Sequence, residues 1–116
     1  MDDFFAGREE SAHIFETLRI AVGDLGPAEL YITKSQIGFR RHRPFAWAWI
    51  PGMYLRGEHA PLVLTLSLRR KDLSPRWKEI VEPAPGRFTH HLELRSESEI
   101  EGEIRRWLLE AWEATA

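Results

Sequence analysis

Between Leu62 and Arg69 the chain reads LVLTLSLR, with leucine at each even position and Val63, Thr65, Ser67 and Arg69 at the odd ones. A side-chain period of two belongs to an extended strand, so this segment is expected to be a strand whose leucine face lies in the core. A sheet is thereby required, and something apolar has to cover it. Two amphipathic segments can do so. Ile14, Phe15, Leu18, Ala21, Val22 and Leu25 recur at three-and-four spacing and predict a helix from about Glu9 to Leu25, stopped by Gly26-Pro27. Ile100, Ile104, Trp107, Leu108 and Ala111 line one face of a closing helix, which follows a capping-box pair, Ser96 and Glu99.

Four more segments read as extended or turning chain. Ala28 to Thr33 sets Leu30 and Ile32 against Glu29, Tyr31 and Thr33, and Ile37 to Arg41 sets Ile37 and Phe39 against Gly38 and Arg40. Phe45 to Ile50 is apolar on both faces, with Phe45, Trp47 and Trp49 against Ala46, Ala48 and Ile50, as in a central strand covered on both sides. Between these runs Pro44 and its neighbours form a hairpin corner. Arg87 to Leu94 sets Phe88, His90, Leu92 and Leu94 against Arg87, Thr89, His91 and Glu93. Ser74-Pro75 has the form of a helix cap followed by proline at the first helical position, which predicts a short helix over Arg76 to Val81, ended by Pro83, Pro85 and Gly86. Gly52 to Pro61 reads as a polar loop. The expected fold is α+β: one domain over residues 1–116, a two-layer sandwich with a mainly antiparallel sheet of about five strands. Two long helices cover one face, and a short helix precedes the last strand.

Length permits a sizeable core, since 116 residues bury most of the surface of the unfolded chain. Cysteine is absent, which suits a reducing cytoplasm. No run of about 18 apolar residues suggests a membrane span, and the start, Met1-Asp2-Asp3, lacks the charge pattern of a secretory signal. A cytoplasmic location away from membranes is expected. The net charge of -2 argues against a dedicated duplex-binding protein, whose affinity would come from neutralising phosphates.

Charge distribution says more than its sum. Lys34, Arg40, Arg41 and Arg43 have no acidic residue among them from Ile32 to Pro51, and Arg69, Arg70, Lys71, Arg76 and Lys78 face only Asp72. Guanidinium forks hold phosphate or carboxylate bidentately, and tryptophan adds a stacking face. The competing reading is that these cations balance Glu97, Glu99, Glu101, Glu103, Glu110 and Glu113 of the closing helix. Trp47 and Trp49 could form a stacking platform, although tryptophans of this size are expected in the core beneath the helices.

His90, His91 and Glu93 do not make a metal set, because consecutive strand residues point to opposite faces. His91 and Glu93 share a face and could act as acid and base, while His90 belongs to the core. No nucleophile elbow, phosphate-cradling loop or dinucleotide fingerprint is present. The leading expectation is a non-catalytic binding domain for an anionic or aromatic small ligand, with Lys34, Arg40, Trp47, Arg76 and His91 as site residues. Lys34, Arg40 and Arg76 are expected to converge on one anion, with neither metal nor cofactor. The alternative is a protein-interaction or homodimerisation module docking through the tryptophan strand or Trp112. A hydrolase or transferase using His91 with Glu93 comes third.

In whole phrases, KSQIGFRR, RPFAWAWIP, LVLTLSLRRKDLSPRWKEIVEP, PGRFTHHLEL and the closing helix, the chain resembles a family of small bacterial proteins, the domain of unknown function family 5655. The resemblance covers nearly the whole chain and its order of elements. It implies a compact α/β domain able to stand alone, and it carries across no reaction, cofactor or functional residue.

Overall fold

The structure, a computed structural model, describes residues 4–115. Helix α1 (Glu9–Gly23) leads into strands β1 (Glu29–Ile32), β2 (Ile37–Arg40), β3 (Pro44–Trp49), β4 (Leu62–Leu68), β5 (Glu79–Ala84) and β6 (Arg87–Leu94), and helix α2 (Gly102–Glu113) closes the chain. The six strands form one antiparallel sheet in the order β1-β2-β3-β4-β6-β5. The leucine strand β4 sits between β3 and β6, with its leucines fully buried as their alternation requires.

Both helices cover the face built by Ile37, Phe39, Ala46, Ala48 and the β4 leucines. Phe15 of α1 stacks on Phe39 with ring centroids 5.9 Å apart. Ile104, Trp107, Leu108 and Ala111 of α2 are buried on the same side. Ser11, the one polar residue on the buried stripe of α1, donates to the Pro61 carbonyl at 2.7 Å and so leaves no unmet hydrogen bond under the helix. Among the described residues no helix is long and apolar enough to cross a membrane.

Three details differ from expectation. Residues 76–81 do not form a helix. Ser74 does accept the Arg76 amide at 3.2 Å, as a cap would, but Lys78 already donates to the His91 carbonyl at 2.8 Å. From Glu79 the β-branched pair Ile80-Val81 continues as edge strand β5, which makes six strands rather than about five. Pro83 is tolerated because β5 is an edge, and Pro85-Gly86, with Gly86 at φ +74, turns it into β6.

Secondly, the capping box at Ser96 and Glu99 closes only a 3-10 turn over Glu97–Glu99, and α2 begins three residues later. Thirdly, Trp47 and Trp49 do not lie beneath the helices. The alanines between them do, because small side chains let the helix layer approach closely, and the tryptophans cover the opposite face, half-buried. Phe45 escapes this parity: β2 pairs Phe39 with Ala46 and Arg40 with Pro44, so Phe45 is the extra residue of a bulge and enters the core.

Part of the basic cluster serves the fold. Helix α2 has no basic residue in its last turn, and its carboxyl end is met from outside. Arg41 donates to the Trp112 carbonyl at 3.3 Å, while Arg43 and Arg69 donate to that of Ala114 at 3.2 and 2.9 Å. Trp112 in turn lies on Gly26, donates to the Pro27 carbonyl at 3.0 Å and carries Arg41 3.6 Å above its ring. Gly26 has a φ of +143, and a Cβ there would lie 2.7 Å from the Trp112 ring. Trp112 therefore ties α2 to the loop after α1, and its ring is engaged within the chain.

Candidate functional site: the open sheet face and its basic end

The face away from the helices carries one continuous row of positions across all six strands. Register places Tyr31, Gly38, Trp47, Thr65, His91 and Glu79 side by side. Within the row the Trp47 indole donates to the Tyr31 hydroxyl at 2.9 Å, and the Thr65 hydroxyl lies 2.8 Å from His91 Nδ1. These two bonds fix the orientation of Trp47 and His91 without help from a ligand.

Gly38 makes the first bond possible. The Tyr31 ring lies flat over it, and a Cβ at position 38 would come 2.2 Å from Tyr31 Cζ. Gly38→Ala is therefore expected to push Tyr31 aside and release the Trp47 indole, at a cost of about 1–3 kcal/mol by urea unfolding. The tryptophan emission should shift as well. Unchanged stability and emission would show that the row does not depend on this close approach.

Two hollows open on this face. The larger, about 840 Å³, lies at the end of the sheet where the β2–β3 and β5–β6 turns meet the carboxyl end of α2. Arg40, His42, Arg43, Arg69, Arg87 and Trp47 give it its character, and among the described residues no acidic side chain lines it. The smaller, about 500 Å³, is aromatic: Trp47, Trp49 and Tyr54 line it together with Gln36, Thr65 and His91. Trp47 and Thr89 line both hollows, so together they form one groove, basic at one end and aromatic at the other.

The residues expected from sequence are divided by this arrangement. Trp47 and His91 line the groove, and Arg40 stands at its rim, paired with Glu29 and lying over the Tyr31 ring. Lys34 is exposed in the β1–β2 turn and lines neither hollow. Arg76 is on the helix side, bonded to Glu103 at 3.0 Å and near the Trp107 ring. Lys34, Arg40 and Arg76 do not meet, because residues 76–81 enter a strand whose course carries Arg76 toward α2. The cations that join Arg40 at the groove are Arg43, Arg69 and Arg87. Arg69 and Arg87 continue the parity of Ser67 and of Thr89 with His91, a signal that was present in the sequence.

His91 and Glu93 do not form an acid-base pair. Glu93 is held by Lys78 at 3.2 Å and Arg95 at 3.8 Å, while the bond of His91 goes to Thr65. Burial holds the His91 imidazole below its usual value, against an opposing pull from Glu79, so it is neutral near pH 7. His90 points the other way, fully buried beneath the helices. Its Nε2 accepts the Asp72 amide at 3.0 Å, which puts its proton on Nδ1 for the Phe88 carbonyl at 3.1 Å. Among the described residues no three histidine, aspartate or glutamate side chains gather as a metal set.

No curated protein and no solved structure matches the chain. Residues 1–115 match the family described as Domain of unknown function (DUF5655), which covers every element of the fold and the whole groove. The chain belongs to the DUF5655 family.

Proposed function

We propose that the chain is a non-catalytic binding domain for an anionic or aromatic small ligand, held on the open sheet face, and that it works in a bacterial cytoplasm, a setting its lack of cysteine permits. The observation that carries the reading is the hollow lined by Arg43, Arg69 and Arg87, with no carboxylate in its wall among the described residues. Arg43 and Arg69 each spend a donor on the end of α2, yet a guanidinium carries five, so further donors remain for a ligand. Arg87 is exposed and has no ion pair among them.

Phosphate and sulfate at millimolar concentration should raise the melting temperature of the wild type. Arg87→Ala should weaken that response by about ten-fold, since a charge-assisted hydrogen bond contributes roughly 1.5–3 kcal/mol. Its unliganded melting temperature should barely move. An anion panel that leaves the wild type unmoved would sink the reading.

A second reading, a protein-interaction or homodimerisation surface, has one observation in its favour. Met53, Tyr54 and Leu55 are 39%, 56% and 51% exposed beside Trp49, in a loop whose sequence reads as polar. Concentration-dependent sedimentation that is abolished by Leu55→Asp would support it.

A further inference from the structure

Resting on the anion-binding reading, we infer that the two hollows take one molecule, a planar aromatic ring bearing a phosphate, of which a nucleoside monophosphate is the simplest example. The phosphate sits among Arg43, Arg69 and Arg87, and the ring sits against Trp47 beside Trp49 and Tyr54. The first support is continuity, because Trp47 and Thr89 belong to the walls of both hollows. The second is polarity: among the described residues every charged residue that lines the groove is a cation at one end, and the other end adds aromatic rings with the neutral hydrogen-bonding groups of Gln36, Thr65 and His91.

Spacing is the third support. Arg69, just past the end of β4, lies four residues beyond Thr65, and Arg87 lies four residues before His91 on β6, toward the same end of the sheet. Four strand residues rise about 13 Å, a separation that a nucleoside monophosphate and the reach of an arginine side chain can span together. Trp47 is also prepared to act as a wall, since its only polar atom is already bonded to Tyr31 and its ring is held in place. Base–aromatic stacking of this kind contributes as much as a good polar contact, and a fixed ring loses little entropy on binding.

Titration calorimetry with AMP, inorganic phosphate and adenosine tests this on the intact chain. AMP should bind at least about ten-fold more tightly than phosphate, and Arg87→Ala should weaken both by about ten-fold. Trp47→Leu and the surface change Tyr54→Ala should each weaken AMP by about five-fold or more and leave phosphate within about two-fold. Tyr54 is exposed, so its variant keeps the test open even if Trp47→Leu folds poorly.

Equal affinity for AMP and phosphate would overturn the two-part ligand and leave the anion site standing. Binding of neither would overturn both readings. An oligothymidylate that binds far more tightly than AMP would also overturn it, in favour of a single-stranded polymer.

Discussion

Asp72→Ala is expected to lower the free energy of unfolding by about 2–4 kcal/mol, the range for removing charge-assisted bonds and leaving a buried donor unmet. The Asp72 carboxylate accepts from Arg70 at 2.8 Å, from the Ser74 amide at 3.0 Å and from the indole of Trp77 at 2.8 Å. Trp77 is buried and packs edge-on to His90 and against Trp107, so its indole N–H has no water to turn to. Arg70 carries the connection onward to Glu110 of α2 through two bonds of 2.8 and 2.9 Å. Asp72 thus holds the β4–β5 connection to the sheet, through its amide on His90 and its carboxylate on Trp77, and through Arg70 to the closing helix.

The same site sets an acid dependence. Burial pushes the Asp72 carboxyl up, but the bonds from Trp77, Ser74 and Arg70 together outweigh it and hold the group below its usual value. A depressed carboxylate stabilises the fold above its unfolded value and loses that contribution as pH falls, here below about pH 4. His90 acts in the same sense from a higher starting point, because burial keeps it neutral in the fold while the unfolded chain takes up a proton below about pH 6.5. Denaturation followed from pH 7 to pH 3 should show both phases in the wild type, and Asp72→Asn should show a smaller lower one, since Glu16, lowered by Arg19, still titrates there. An unaltered acid limb in Asp72→Asn would show that the carboxylate is not the titrating group.

Five of the six strands and both long helices were legible because each carries its period openly: four leucines at alternate positions in β4, and three-and-four spacing in α1 and α2. Parity also separated His90 from His91, one beneath the helices and one on the open face. Parity is silent where both faces of a strand are apolar. In β3 the sequence offers tryptophans on one side and alanines on the other, and large apolar area argues for burying the tryptophans. What decides is the distance between layers, which lets the helices settle on alanines, and no local pattern records that distance.

The candidate site was legible in part for a similar reason. His91 and Arg40 follow from strand parity, whereas the face of Trp47 is undecided in a strand apolar on both sides and Arg76 is misplaced with the helix it was expected to start. The gathering of Arg43 and Arg69 depends on where the last carbonyls of α2 arrive, 71 and 45 residues away along the chain.

Phe15→Ala and Trp47→Leu measure the two faces of the sheet against each other. Phe15 is about 1% exposed and lies between Phe5, with ring centroids 5.3 Å apart, and Phe39, so truncating it leaves a void that close-packed neighbours cannot fill. A loss of about 3–5 kcal/mol is expected by chemical denaturation. Trp47 is larger, but it is half-buried, and its removal from an open face lets water in instead of leaving a cavity. Trp47→Leu gives up the bond to Tyr31 and some apolar area and should cost less than about 2 kcal/mol. The order of the two values is the informative result. If Trp47→Leu destabilised the chain as much as Phe15→Ala, the tryptophan face would be covered in solution, as in a dimer, and the groove would be an interface instead of a ligand site. A small cost for Trp47→Leu combined with a loss of ring-dependent ligand affinity would mean that this large side chain serves the groove more than the fold.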